Sequence, residues 1–386
     1  MGTEAGGLRL LVAGGGTGGH VLPAVAVVEE LRARGVLRDT LWIGSHAGVE
    51  RDAARDAGIP FRPIQTGKFR RYLSIHTLTD AARIPVGLVQ ARREVARFRP
   101  DIIFSTGGFV SVPTVTAARG IAPTLTHEQT ATLGLATRIN ARFADVLAVS
   151  WEASLPAATA IHKRVVVKGN PVRSSLLRGD RTAAHARWGF SPDLPVVYVT
   201  GGARGANALN QRIASLLPGL LETCQVLHQT GPTSANDDHA ALSRATAGWP
   251  DHLRARYRLV EFVRDGLADL YAACEVVIGR AGAGTVSELA AIGIPAILVP
   301  LPGAGGDEQT RNARLLADAG GAVVIQQSDA TPERLRAELS ALLADPARRA
   351  AMAAAARSVG KPDAAAGLAD ELLALAGRPV APTAAG

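Results

Sequence analysis

The chain has 386 residues, 47% of them hydrophobic and only 4% aromatic, with 41 glycines, 22 prolines and a net charge of +8. That length exceeds one ordinary domain, and two cysteines, Cys224 and Cys274, cannot build a disulfide framework, so two aliphatic-cored domains in a reducing, cytosolic setting are expected. No stretch approaches the ~20 apolar residues of a membrane span and no signal-peptide pattern is seen, which leaves nucleic acid, an anionic membrane surface, anionic substrates or plain solubility to account for the charge.

The apolar run Leu8–Ala13 predicts a buried strand, and the spacing of Val21, Val25, Val28 and Leu31 predicts a helix over Val21–Arg34. Strands are expected at 40–44, 61–66, 101–105, 123–126 and 145–150, with helices over 48–58, 78–98 (interrupted near Pro85) and 113–119. Pro and Gly punctuate Lys168–Arg173, and Ser174–Pro195 reads as polar and less regular. The pattern then restarts, with strands at 195–200, 223–229, 257–260, 276–278 and 296–299 and terminal helices over 347–358 and 363–375. Strand–helix repetition in both halves predicts an α/β fold of two doubly wound, Rossmann-like parallel-sheet domains facing a central cleft. The expected domains are 1–170 and 171–360; a helix over 361–378 is a candidate to cross back to the first, and 379–386 is expected to be a disordered tail.

Each half opens with a strand that feeds a glycine loop. The first is Gly14-Gly15-Gly16-Thr17-Gly18-Gly19-His20. Glycines let backbone approach phosphate oxygens, and the following helix offers unpaired N–H groups. The spacing also satisfies the dinucleotide fingerprint, but that site needs an acid at the end of the second strand, and none comes before Glu50. A histidine at a helix N-terminus has its charged form disfavoured by the dipole, so His20 reads either as a neutral general base beside a phosphate loop or as a structural cap. The second is Gly201-Gly202-Ala203-Arg204-Gly205-Ala206, and a third loop, Gly279–Gly284, follows the strand at 276–278. Glu288, about one turn into the helix expected from Thr285, either accepts the hydroxyls of a ribose diol or merely complements the helix dipole. Gln309 and Asn312 can donate and accept at sugar hydroxyls, or act as capping residues.

Residues 62–99 carry nine basic side chains (Arg62, Lys68, Arg70, Arg71, Arg83, Arg92, Arg93, Arg97 and Arg99) against two acids, interleaved with apolar residues. This suits an anionic membrane surface or an ordinary solvated helix face, and suits nucleic acid poorly, because stacking aromatics are few. The nine histidines do not cluster with acids at ligand spacing, so neither a metal nor another cofactor is expected.

The ordered set of motifs resembles the bacterial MurG transferases of glycosyltransferase family 28. It comprises Gly15-Gly16-Thr17-Gly18-Gly19-His20-Val21-x-Pro23-Ala24, Gly67-Lys68-x-Arg70-Arg71-Tyr72, Gly107-Gly108-Phe109-Val110-Ser111-x-Pro113, His127-Glu128-Gln129 and Gly169-Asn170-Pro171-Val172-Arg173. Further along come Gly201-Gly202-x-x-Gly205-Ala206-x-x-Leu209-Asn210, His228-Gln229-x-Gly231, Glu261-Phe262, Thr285-Val286-Ser287-Glu288 and Gln309-x-x-Asn312-Ala313. The resemblance spans roughly residues 8–375.

It implies a GT-B fold and inverting, metal-independent transfer of N-acetylglucosamine from UDP-N-acetylglucosamine to lipid I, giving lipid II, at the cytoplasmic face of the plasma membrane. By position it implies catalytic roles for His20 and Glu128. Donor contacts would come from Thr17, Gly18, Gly19, Thr130, Arg173, Ala203, Val263, Ala283, Gly284, Thr285, Glu288, Gln309 and Asn312. The acceptor diphosphate would meet Gly15, Gly16, Thr17, Gly18, Gly107 and Gly108, and a membrane patch would include Lys68, Arg70, Arg71, Tyr72, Leu73 and Ile75. Three places depart from the pattern: Thr130 stands where the family has Asn, Ala203-Arg204 where it has Ser-Gln, and Val263-Arg264-Asp265 where it has an aliphatic residue and two aspartates. Two rivals follow from these departures: another GT-B enzyme, with a different acceptor or an epimerase activity, and a non-catalytic nucleotide-sugar-binding homologue.

Overall fold

Leu8–Gly14 forms β1, buried on both faces, which is why its residues are apolar almost without alternation. The computed structural model describes residues 7–46, 48–67, 75–203, 205–235, 237–303 and 306–379, with backbone alone over 75–83. After β1 come α1 (Gly18–Ala33), β2 (Leu37–Ser45), α2 (Val49–Asp56), β3 (Phe61–Ile64), α3 (Ile75–Phe98), β4 (Ile102–Gly107) and α4 (Ser111–Ala118). Then come β5 (Thr124–Glu128), α5 (Leu135–Asn140), β6 (Val146–Val149), α6 (Leu155–Thr159) and β7 (Val165–Val167). The strands make one parallel sheet in the order β3-β2-β1-β4-β5-β6-β7. Strand order reverses between β1 and β4, so their carboxyl ends flank the switch point at which such sheets bind ligands.

Period-two side chains give this sheet two cores. Leu8, Leu10 and Val12 pack with Val21, Ala24, Val28 and Leu31 of α1, while Leu11 and Ala13 pack with Ala91 and Val95 of α3 and Ala117 of α4. Helix α3 runs unbroken through Pro85, contrary to the interruption expected there. Pro85 is exposed, so its ring projects toward solvent and not into the core.

The second sheet is laid out the same way. Its elements are α7 (Arg181–Trp188), β8 (Val196–Thr200), α8 (Asn207–Leu220), β9 (Gln225–Gln229), α9 (Asp238–Thr246), α10 (Asp251–Ala255), β10 (Tyr257–Val260) and α11 (Leu267–Ala273). They continue with β11 (Cys274–Gly279), α12 (Ala283–Ile292), β12 (Ala296–Leu298), α13 (Glu308–Ala317), β13 (Ala322–Val324), α14 (Pro332–Ala344) and α15 (Pro346–Val359). The order β10-β9-β8-β11-β12-β13 again reverses, between β8 and β11. Its largest core sets Val197, Val199, Val226 and Ile278 of the sheet against Leu209, Ile213 and Leu217 of α8 and Leu335 and Leu339 of α14. Helix α7 lies inside the stretch expected to be irregular; Asp180 caps it by accepting the N–H groups of Thr182 and Ala183, and Gly189 ends it in the left-handed region. Cys224 and Cys274 are free thiols, and burial pushes Cys224 up to about 12.

The chain divides into two compact units. One holds the described residues through Arg173 together with those from Asp363 on; the other is Ser174–Pro362. Arg173, expected in the second domain, therefore belongs to the first unit. The last helix, α16 (Ala364–Leu375), packs Leu368, Leu372 and Leu373 into the core around α1. Arg34, the C-cap of α1, reaches Asp370 at 2.5 Å and Glu30 at 2.7 Å, and Glu371 meets Arg164 at 2.5 Å. Because Leu372 is fully buried, Leu372→Ala is expected to cost the first unit about 3 kcal/mol by emptying the space against α1. A fall in the denaturant midpoint checks this; an unchanged midpoint would mean that α16 adds nothing to the sheet.

Candidate active site

The first switch point is built from backbone. A Cβ on Gly14 would lie 2.1 Å from Thr106 Oγ1, and one on Gly108 would lie 2.4 Å from the Gly15 carbonyl, with Gly108 at φ +74°. No other residue allows the loops after β1 and β4 to approach so closely. Thr17 is the N-cap of α1 and makes no side-chain cap, and the first turn carries no acid, so the N–H groups of Gly18 and Gly19 open toward an anion without competition from a capping side chain. Gly16 is different. Its N–H donates to Glu50 Oε2 at 3.0 Å, and Glu50 Oε1 accepts the N–H (2.9 Å) and hydroxyl (2.5 Å) of Ser45. Glu50 is fully buried and already accepts the Gly16 N–H, so Gly16 has no N–H to offer a ligand phosphate.

His20, the third residue of α1, is half-buried. Its Nδ1 lies 2.9 Å from the Thr106 carbonyl and 2.9 Å from Gln129 Oε1. Both partners are acceptors, so Nδ1 carries the proton and the lone pair of the neutral ring is on Nε2. The orientation of Gln129 is set in turn, because its amide nitrogen donates to the Thr106 carbonyl at 2.8 Å and to His127 Nδ1 at 3.1 Å. His127 Nε2 donates to the Gly169 carbonyl at 2.9 Å; burial, reinforced by the nearby His20, pulls the ring down to about 4 against that hydrogen bond. His127 is thus a neutral prop for Gln129. Glu128, the other candidate base, is buried and already bound: it accepts the N–H (3.2 Å) and hydroxyl (2.9 Å) of Thr130 and the N–H of Gly134 (2.9 Å). Thr130 spends its hydroxyl inside this loop.

The second switch point repeats the plan. Gly202 N–H donates to Thr200 Oγ1 at 3.0 Å in the loop after β8, where Ala203 is exposed. After β11, Gly282 is the N-cap of α12, which begins at Ala283, two residues earlier than expected, and includes Gly284 and Thr285 in its first turn. Glu288 is therefore the sixth residue of the helix, outside the first turn, and the helix-dipole reading loses its basis. Its Oε2 accepts the Tyr271 hydroxyl at 2.7 Å. Gln309 Oε1 accepts the N–H groups of Ala281 (3.3 Å) and Leu301 (2.9 Å), and Asn312 donates to the Ala281 carbonyl at 3.3 Å. The start of α13 is thereby tied to the glycine loop, with the Gln309 carbonyl oxygen spent on that tie. The Val263 N–H is taken by Gln229 Oε1 at 2.9 Å. Arg173 is half-buried and, among the described residues, pairs with no carboxylate. Lys68, Arg70, Arg71, Tyr72, Leu73 and Arg204 lie outside the described residues, and of Ile75 only the backbone is described.

Sequence reading assigned no role to Glu50, Gln129, Gln229 or Tyr271. Gln129 and Gln229 lie within quoted motifs, but Glu50 and Tyr271 carry no local signal, since each acts on a segment reached only through the fold. Among the described residues no group of three or more His, Cys, Asp or Glu is placed to hold a metal ion.

Two Rossmann-like parallel-sheet units, each with a glycine loop and a helix start at its switch point, define the GT-B class of α/β proteins. The family model for the glycosyltransferase family 28 N-terminal domain matches residues 10–149, and that for the C-terminal domain matches 196–368. The UDP-N-acetylglucosamine--N-acetylmuramyl-(pentapeptide) pyrophosphoryl-undecaprenol N-acetylglucosamine transferase of Lactiplantibacillus plantarum is 34% identical over 95% of this chain and 98% of its own. The enzyme of the same name from Paenarthrobacter aurescens is 38% identical over 92% of each. The crystal structure of Acinetobacter baumannii MurG superposes with a TM-score of 0.70 at 29% identity, covering 95% of this chain and 99% of that one. The chain belongs to glycosyltransferase family 28.

The two buried histidines make stability depend on pH. His127 is pulled down to about 4 and His228 to about 3, both chiefly by burial, from an unfolded value of 6.5. Between those values the unfolded chain binds more protons, so the stability present above pH 6.5 is lost as pH falls. The denaturant midpoint is expected to drop between pH 7 and pH 5, and His228→Gln to shrink that drop. An equal drop in the variant would mean that other groups carry it.

Proposed function

We propose that the protein transfers N-acetylglucosamine from UDP-N-acetylglucosamine to the C4 hydroxyl of N-acetylmuramic acid in undecaprenyl-diphospho-N-acetylmuramoyl-pentapeptide, converting lipid I to lipid II. Family membership and the names of its relatives support the substrates. The observation that carries the chemistry is the fixed tautomer of His20, with Nδ1–H held by Thr106 and Gln129 and a basic Nε2 left over.

The acceptor oxygen attacks the anomeric carbon of the donor sugar as its proton passes to His20 Nε2. The bond from that carbon to the diphosphate oxygen breaks, UDP leaves with the electron pair, and the configuration inverts. The N-termini of α8 and α12 and the Arg173 guanidinium balance the charge that develops on UDP, and Glu288 accepts the ribose hydroxyls. In the first unit the N–H groups of Gly15, Gly18, Gly19 and Gly108 receive the acceptor diphosphate, while that of Gly107 is taken by Ser105 Oγ at 3.3 Å. Glu128, held by three donors, shapes the turn after β5 and takes no proton.

The assay uses labelled UDP-N-acetylglucosamine with a short-chain lipid I analogue, with and without chelator. Transfer is expected to persist in chelator, because fixed protein dipoles and Arg173 serve the leaving group. His20→Ala is expected to lower turnover by about 10²–10⁴-fold with little change in UDP affinity. Turnover near wild type would refute the base assignment, and no transfer to any lipid-linked acceptor would refute the function.

The acceptor is a lipid, and we place the protein peripherally on the cytoplasmic face of the bacterial plasma membrane. Among the described residues no helix is long and apolar enough to cross a membrane. Helix α3 supports surface binding: Val86 (49% exposed) and Val89 (70%) share a helical stripe with the exposed Arg93 and Arg97. Arg93→Asp with Arg97→Asp is expected to weaken cosedimentation with anionic vesicles by about tenfold or more and to remove its salt dependence. Unchanged binding would move the membrane contact off this stripe.

A further inference from the structure

A line of buried side chains runs beneath the second switch point. Tyr271 of α11 is 4% exposed and donates its hydroxyl to Glu288 Oε2 at 2.7 Å. Its ring meets Tyr198 of β8 edge-on, with centroids 6.0 Å apart and planes at 67°. The Tyr198 hydroxyl donates to Gln229 Oε1 at 3.1 Å, the same oxygen that accepts the Val263 N–H at 2.9 Å. Gln229 also donates to Thr200 Oγ1 at 3.2 Å and to the Gly202 carbonyl at 3.3 Å. One packed aromatic pair thus sits under two positions expected to contact the donor, Val263 and Glu288, and under the loop after β8.

The chemistry of the pair is mutual. A buried phenol without a partner is costly, and Glu288 satisfies Tyr271. A glutamate on a helix face has several rotamers, each presenting its oxygens at a different depth, and the buried hydroxyl selects one. Burial and the charge of Glu288 both push the Tyr271 phenol far above its ordinary value, so it remains a donor. Two vicinal hydroxyls bind well only to a carboxylate whose plane is already set, because the ligand then does not have to order it.

We infer that Tyr271 is a positioning residue for nucleoside recognition, which holds the Glu288 carboxylate in the orientation that selects a ribose diol over a deoxyribose. The inference rests on the reading that Glu288 meets the ribose.

Calorimetry on the full chain with UDP and with 2′,3′-dideoxy-UDP tests it. Wild type is expected to prefer UDP by about tenfold or more, the worth of hydrogen bonds to a charged acceptor. Y271F should weaken UDP by about tenfold and the dideoxy ligand by less than about twofold, so that the preference collapses. In the double variant Y271F/E288A, UDP affinity should equal that of E288A alone, since Tyr271 acts through Glu288. A preference intact in Y271F overturns the inference and leaves the ribose assignment standing, and so does a further loss in the double variant. If wild type binds both ligands equally, the ribose assignment falls and the role of Tyr271 falls with it. Matching thermal melts of wild type and Y271F confirm that the comparison is between folded proteins.

Discussion

Backbone pressed against backbone at the carboxyl ends of two adjacent strands is the constraint on which both halves of this protein depend. In the first sheet Gly14 pairs with Gly107, and the loops beyond them touch where Gly108 meets the Gly15 carbonyl. In the second, Gly279 pairs with Thr200, and a Cβ on Gly279 would lie 2.9 Å from the Thr200 carbonyl. Side chains there would fill the space a ligand needs and hold the strands apart. Their absence brings peptide groups to the surface at the places where α1 and α12 begin, so each sheet ends in an array of oriented dipoles. The aliphatic cores on both faces of each sheet keep that array rigid, so the donors do not have to be ordered when a charge arrives.

What separates the candidate chemical groups from the structural ones is how many partners each already has. Glu50 and Glu128 are buried carboxylates that each accept three hydrogen bonds from neighbouring N–H and hydroxyl groups, and both are therefore parts of the scaffold. Asn312 anchors α13 to the loop at Ala281. His20 is held through one nitrogen only, and what holds it, the Thr106 carbonyl and Gln129, is itself held by β4, β5 and the buried His127. Such a chain of support fixes the direction of a ring without occupying its reactive atom, which is the arrangement a general base requires.

Much of this was legible in the sequence because it is local. Apolar runs entering glycine loops gave away β1, β8 and β11, and helical spacing gave away α1. The ordered motifs also brought out His20 and Glu288 by resemblance. Other features are not local. Pro85 reads as a break because proline removes a donor, yet α3 continues because that side faces solvent. The region around α7 reads as irregular because its cap, Asp180, and its terminator, Gly189, resemble loop residues when taken singly. Glu50 reads as an acid arriving too late to hold a ribose; in the fold it turns back under Gly16, a contact that depends on β1 and β2 being neighbours. Tyr271 is joined to Glu288 only because α11 and α12 flank the same strand, and no spacing rule announces that.

The two glycine loops also show why similar backbone devices need not hold the same ligand. A carboxylate that reaches the peptide N–H groups of such a loop competes with phosphate for them, and Glu50 does this at Gly16. A carboxylate meant for a neutral diol must therefore stay clear of the helix start. Glu288, five residues beyond the first residue of α12, lies about 7–8 Å along the axis from it, which in the proposed function leaves the N-terminus to a diphosphate and the carboxylate to a sugar. That separation needs a second support, since the helix dipole no longer steadies the side chain so far along, and the Tyr271 hydroxyl supplies it. In the first unit the same logic leads elsewhere. With Glu50 filling the nearest N–H, the donors that remain are those at the start of α1 and after β4, beside an imidazole whose free nitrogen accepts a proton. In the proposed function one unit recognises a nucleotide and the other activates a hydroxyl next to a bound anion.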